Sequence, residues 1–214
     1  MAAVIQRLPI GSFAPRFGAL VAAFLLLLSA CGQQAKLPPL APDAVVLAFG
    51  DSLTYGTGAN DEQSYPAQLA RITGRRVVRE GVPGEVSATG LARLPAVLDA
   101  HQPRLLILCH GGNDFLRRLP KAQAAENVRA MIRLARDRGI EVLLIGTPEI
   151  GFTLTPPEFY AEIANQFSIP YEGDVITKIL RNGELKSDQI HPNAQGYRMM
   201  AERIADLLKK AGAI

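Results

Sequence analysis

The chain reads as an α/β domain built on a parallel sheet, and three observations predict it. Short apolar runs at 44–49, 76–79, 104–109 and 141–145 have strand length and little polar alternation, as strands covered on both faces do. Longer stretches between them carry apolar residues at helical spacing. The two kinds alternate along the chain, and strand, helix, strand in succession gives parallel neighbours with helices on both sides.

Taken in order, the first strand, 44–49, is followed by a helix over 66–72 and a second strand over 76–79. A helix over 91–100 comes next, with Pro95 inside it leaving its start open. The third strand, 104–109, leads to a helix over 121–138 that Gly139 stops, and the fourth strand is 141–145. A weaker fifth strand surrounds 169–171, followed by a helix over 175–180. The last helix starts at Ala194 and places Tyr197, Met200, Ile204, Leu207 and Ala211 on one face.

The first thirty residues are expected to be a leader. Arg7 and Arg16 precede an uncharged apolar run, 17–30, that is too short to span a bilayer comfortably and fits a signal peptide. Leu28-Ser29-Ala30-Cys31 resembles a bacterial lipobox, which implies cleavage after residue 30, lipidation of Cys31 and anchoring by two or more acyl chains. Gly32 after the cysteine favours the outer membrane. Residues 31–43, with Pro38, Pro39 and Pro42, are expected as an extended tether, leaving 44–214 as one domain.

Without the leader the formal charge falls from +3 to +1, and no basic stretch interleaved with aromatics remains. That excludes the electrostatic footprint of a nucleic-acid binder. With Cys31 lipidated, Cys109 has no partner in the chain, so no disulfide is expected and a packed, inert thiol is. No cluster of metal-ligand spacing is present and no cofactor is expected. A monomer is expected.

Ligands of open parallel sheets gather at the carboxyl ends of the strands. The first strand ends in Phe49-Gly50-Asp51-Ser52-Leu53, which places a serine just past a buried strand, although a loop serine serving its own backbone has the same look. The third ends in Cys109-His110-Gly111-Gly112-Asn113-Asp114, where Asn113 carries an amide donor or makes a plain turn. Near the C-terminus, Pro192 keeps His191 out of helical conformation, and Asp188 three residues upstream is within reach of its Nδ1. A capping region with a surface histidine is the plainer alternative. His110 reads as a satisfied structural histidine, His101 as a cation at a helix end, and Asp51 and Asp114 as loop-ordering carboxylates.

Together these segments resemble the GDSL or SGNH hydrolase family. Gly50-Asp51-Ser52-Leu53 matches its signature block, Gly81-Val82-Pro83-Gly84 its glycine block, Gly111-Gly112-Asn113-Asp114 its asparagine block, and Asp188 with His191 its final block, all in family order. Spacing over 44–210 is most similar to the short periplasmic thioesterase, lysophospholipase and arylesterase branch. The resemblance implies a three-layer flavodoxin-like fold of about five parallel strands in the order 2-1-3-4-5. It further implies a carboxylic ester hydrolase with Ser52 as nucleophile, His191 as base, Asp188 orienting the ring, and an oxyanion hole of the Ser52 and Gly84 N–H groups and the Asn113 amide.

The chain departs from the family at Arg79, where asparagine is usual, and at Val86, where threonine is usual. Alternatives are a deacetylase of cell-wall or surface glycans, a binding lipoprotein without turnover, and a nucleotide binder using Gly111-Gly112. The last lacks a glycine-rich fingerprint. The segment 147–159, with Pro148, Phe152, Leu154, Pro156 and Pro157, is expected to wall or cover the acyl site.

Overall fold

A computed structural model describes residues 35–151 and 154–214. Five strands, β1 (Val45–Gly50), β2 (Arg76–Gly81), β3 (Leu105–Cys109), β4 (Glu141–Ile145) and β5 (Tyr171–Glu172), form one sheet in the order β2-β1-β3-β4-β5, with every neighbouring pair parallel. The expected class, strand number and order are all found. Because Gly50 pairs with both Gly81 and Cys109, the first three strands end level, and the loops that follow them leave from one edge.

Eight α-helices occur among the described residues: α1 (Ser52–Tyr55), α2 (Tyr65–Thr73), α3 (Ser87–His101), α4 (Gly112–Leu116), α5 (Lys121–Arg136), α6 (Phe159–Phe167), α7 (Val175–Arg181) and α8 (Ala194–Ala211). Alternation along β1 separates the two cores. Val46 and Ala48 pack with Tyr65 and Leu69 of α2, Ile179 of α7 and Ile204 and Leu208 of α8, whereas Leu47 and Phe49 pack with Leu94 of α3, Val128 and Ile132 of α5 and Ile163 of α6. Helices therefore cover both faces, which is why the inner strands β1, β3 and β4 read as apolar runs, whereas the edge strand β2 carries Arg76, Arg79 and Glu80 and is only partly buried.

Helix α3 begins four residues before its expected start. Its first residue is held by a carboxylate far away in sequence, since Ser87 N–H and Oγ donate to the two oxygens of Asp114 at 2.8 and 2.7 Å. Helix α6 was not expected at all, and it follows the paired prolines 156 and 157.

Part of the stretch expected as an extended tether packs on the domain. Leu37 and Leu40 are buried in the α8 side of the core, and their N–H groups donate to Ala211 O at 2.9 Å and Ala213 O at 2.8 Å. A helix C-terminus leaves carbonyls without intrahelical donors, and the proline-extended segment supplies them while burying two leucines. The folded unit thus starts before residue 44. The leader, the lipobox with Cys31 and residues 32–34 lie outside the described residues, and no described helix is long and apolar enough to cross a membrane.

Candidate active site

Ser52 is the first residue of α1, directly after β1. The turn that presents it is tight, since a Cβ on Gly50 would lie 2.1 Å from Cys109 O. Asp51 caps α1, its Oδ1 accepting from Leu53 N–H at 3.0 Å. Being first in a helix, Ser52 has an N–H without an intrahelical acceptor.

His191 is carried by a self-tied loop. Asp188 Oδ1 accepts from the N–H groups of Ile190 and His191, both at 2.8 Å, and His191 O accepts from Ser187 N–H at 2.9 Å. Asn193 then caps α8, accepting from Gln195 and Gly196 N–H, and its amide donates to Glu184 O at 2.8 Å.

This loop brings the imidazole to the serine, with His191 Nε2 2.9 Å from Ser52 Oγ and Nδ1 2.7 Å from Asp188 Oδ2. A carboxylate only accepts, so Nδ1 carries the proton and Nε2 accepts from the hydroxyl. Partial burial works to raise the Asp188 carboxyl, but the hydrogen bonds from the ring and from the two backbone N–H groups outweigh it and hold it below the ordinary value. A hydroxyl, an imidazole and an ionised carboxylate in series form a relay able to strip a proton from an attacking oxygen.

Two more segments reach the same edge. Asn113 lies in α4, whose preceding Gly111 adopts φ +113°, and a Cβ there would also meet Tyr160 Oη at 2.4 Å, so the position requires glycine twice over. Asn113 Nδ2 donates to Asp51 Oδ2 and to Glu85 O, both at 3.1 Å. Both partners accept only, which fixes the orientation of the amide. Gly84 sits after β2 at φ +77°, and a Cβ there would meet only Arg117 Nη2, at an ordinary contact distance of 3.6 Å, so glycine is needed for its backbone angle rather than for clearance.

Ser52, His191 and Asn113 line one open cleft, whose other walls include Leu53, Leu116, Pro148, Ile150, Ile176, Leu180 and Ile190. The segment 147–159 contributes Thr147, Pro148 and Ile150 to it, whereas Pro156 and Pro157 line a separate depression and Phe152 is outside the described residues. That segment is therefore a wall in its first part and not throughout.

The remaining sequence candidates are structural. Cys109 is fully buried, and burial together with nearby Asp51 pushes its thiol well above the ordinary range. Asp114 holds α3 and Asp51 supports Asn113, while His101 Nε2 meets Glu80 Oε1 at 2.9 Å. Arg79 donates to Tyr55 O and Asp61, fastening the end of α1. Tyr160 was missed by the sequence reading, yet its hydroxyl donates to His110 O at 2.8 Å and pairs with Thr147 Oγ1 at 2.6 Å, bracing the Gly111 turn. A Pro-Pro pair followed by apolar residues 159, 160, 163, 164 and 167 at helical spacing was the available signal. Among the described residues no group of three or more His, Cys, Asp or Glu is placed to hold a metal.

Residues 48–199 match the GDSL-like lipase/acylhydrolase family. The chain belongs to that family. It is similar to esterase TesA of Pseudomonas aeruginosa, 32% identical over 86% of this chain and 97% of the relative. The thioesterase 1/protease 1/lysophospholipase L1 of Escherichia coli K12 is 30% identical over 77% of this chain and 83% of its own. A crystal structure of TesA superposes with a TM-score of 0.68 at 29% identity, covering 78% of this chain and 99% of that one. The protein is accordingly a serine hydrolase of acyl esters, and all four family blocks meet at the sheet edge just described.

Proposed function

We propose that Ser52 is the nucleophile of this ester hydrolase, that His191 is its general base and that Asp188 orients the imidazole. The 2.9 Å approach of Ser52 Oγ to His191 Nε2 carries the reading. As Oγ attacks the ester carbonyl, its proton passes to Nε2, and Asp188 stabilises the imidazolium without taking the proton. The carbonyl oxygen becomes negative in front of the N–H groups of Ser52 and Gly84 and the Asn113 amide. Collapse expels the alcohol with the proton from His191, and water deprotonated by the same ring then releases the acid from Ser52.

Both Asn113 amide protons are engaged, at 3.1 Å, by Asp51 Oδ2 and Glu85 O. Those bonds are long enough for a developing oxyanion, a stronger acceptor than a carbonyl, to draw one of them away.

The substrate is a carboxylic ester with an apolar acyl group, including aryl esters, thioesters and lysophospholipids. Support comes from the cleft walls, where Leu116, Ile150, Ile176 and Leu180 offer hydrocarbon surface next to Ser52, and from the activities named for the two relatives above. A panel of p-nitrophenyl and coenzyme A esters of rising chain length tests it: activity on medium or long chains is expected, and activity confined to acetyl groups would favour a deacetylase.

Export and lipid anchoring at Cys31 belong to the same reading and rest on the lipobox-like Leu28-Ser29-Ala30-Cys31. An alkynyl fatty acid fed to cells is expected to label the protein and not its Cys31→Ser variant; equal labelling of both would remove the anchor.

A further inference from the structure

Behind the cleft, apart from Ser52 and His191, lies a buried ionic cluster that the mechanism does not use. His110 is fully buried, and its Nε2 is 3.1 Å from Glu85 Oε2. Gly111 N–H donates to Nδ1 at 3.1 Å, so Nδ1 is the acceptor and the Nε2–H group donates to Glu85 Oε2. The other side of the same carboxylate takes a two-pronged bond from Arg93, Nε to Oε1 at 3.0 Å and Nη2 to Oε2 at 2.9 Å. The Arg93 guanidinium in turn lies 4.2 Å over the Phe49 ring.

Space for the cluster is built in. A Cβ on Gly90 of α3 would stand 2.2 Å from His110 Nε2, so the absence of a side chain at residue 90 is what lets the ring reach Glu85. Burying a charge is costly unless it is paired and hydrogen-bonded, and this carboxylate has three charged or polar donor contacts.

Position in the chain gives the cluster its use. Glu85 follows Gly84, and His110 immediately precedes the Gly111-Gly112-Asn113 turn. The hydrogen bond from His110 Nε2 to Glu85 therefore ties the loop after β2 to the turn after β3. The backbone repeats the tie, since Asn113 Nδ2 donates to Glu85 O and Arg117 Nη2 donates to Gly84 O at 2.7 Å.

We propose that Glu85 and His110 are positioning residues of the oxyanion site, a clamp closed by Arg93 that holds the Gly84 N–H and the Asn113 amide at a common focus. This rests on the oxyanion assignment proposed above. Neither side chain touches substrate. Their work is to prevent the two donors from drifting apart, and a misplacement of about 1 Å in such a group costs on the order of a hundredfold in rate.

Four variants of the full chain test it: Glu85→Gln, His110→Leu, His110→Gln and, as a control for stability alone, Ile132→Val in the α5 core. Each is assayed for Tm, for kcat and KM on a p-nitrophenyl ester, and for inhibition by an alkyl trifluoromethyl ketone, whose adduct with the serine carries the oxyanion. Glu85→Gln and His110→Leu are expected to lower kcat by about ten- to a hundredfold with KM changed less than about threefold. Trifluoromethyl ketone affinity should fall by the same factor as kcat/KM. His110→Gln, which keeps an N–H donor toward Glu85, should recover most of the loss, and Ile132→Val should lower Tm with kcat intact.

Wild-type kcat and ketone affinity in folded Glu85→Gln and His110→Leu would overturn the clamp, as would a rise in KM alone. If Glu85→Gln does not fold, the two His110 variants, which leave the Arg93–Glu85 pair in place, decide the matter by the same criteria. Ser52→Ala is run alongside: turnover surviving there overturns the Ser52 reading and the clamp with it, whereas loss there beside unaffected clamp variants overturns the clamp alone.

Discussion

His191 Nε2 stands 2.9 Å from Ser52 Oγ across a sequence separation of 139 residues. The contact exists because β1 ends level with its neighbours and because Asp188 ties the His191 loop to itself before α8 begins. Asp188 touches both the ring and the loop backbone, so its removal acts on tautomer and position together. Asp188→Asn is expected to fold and to lose up to about 10⁴-fold in kcat, because an amide in place of the carboxylate permits the wrong ring tautomer. Steady-state kinetics beside circular dichroism check this, and a kcat within tenfold of wild type would remove Asp188 from the relay.

Asn113→Ala is expected to lose about 100 to 1000-fold in kcat with little change in KM, the cost of one oxyanion donor. The variant also leaves Asp51 Oδ2 and Glu85 O without a donor, so Tm should drop as well. A lower Tm with unaltered kcat would make Asn113 a loop brace and nothing more.

Chain-length preference should respond to the rim of the cleft. Ile150 is 38% exposed and lines the opening, so Ile150→Trp narrows the cleft without disturbing the core. Against dodecanoyl esters kcat/KM is expected to fall by about tenfold or more, while butanoyl esters keep their rate, as a pocket filled by several carbon atoms requires. Equal effects on both substrates would place the acyl chain elsewhere.

Acid stability should report on Glu85. Burial alone would raise its carboxyl, but the bonds from His110 and Arg93 prevail and draw it from 4.5 to about 2. A carboxyl depressed on folding contributes stability that is full above its unfolded value and is lost as pH falls through the folded one, here between pH 4.5 and about 2. The Tm gap between wild type and Glu85→Gln is therefore expected to be widest at neutral pH and to narrow across that window. A gap that is constant from pH 6 to 2.5 would show that the pairing contributes no such linkage.

The residues proposed to react were legible because each is announced locally. Ser52 and Asn113 follow buried strands at glycine turns, and the proline after His191 holds it in a loop. Parallel pairing then delivers strand ends to one edge without further instruction. What escaped reading depends on contacts between distant segments. The start of α3 is set by Asp114, 27 residues away from Ser87, and no capping residue next to the helix marks it. The clamp between Glu85 and His110 needs Gly90 beside it, and nothing in the spacing of these three residues shows that they meet. The segment before residue 44 reads as tether by composition, and its fate is decided by free carbonyls at the end of α8.

That segment gives a further test. Leu40 is buried against α8 and its N–H is satisfied by Ala213 O, so Leu40→Ala is expected to destabilise the fold by about 2 kcal/mol or more without altering KM. Chemical denaturation measures it, and a change within 0.5 kcal/mol, the range usual for surface substitutions, would show that the packing of this segment adds nothing to stability.

The central claim is that one hydroxyl, that of Ser52, attacks the ester. The direct measurement is reaction of the purified protein with an alkyl fluorophosphonate, followed by peptide mapping. A single adduct on the peptide bearing Ser52 is expected, formed quickly by wild type and absent from Ser52→Ala. An adduct mapped to another residue, or undiminished labelling of Ser52→Ala, would contradict the account.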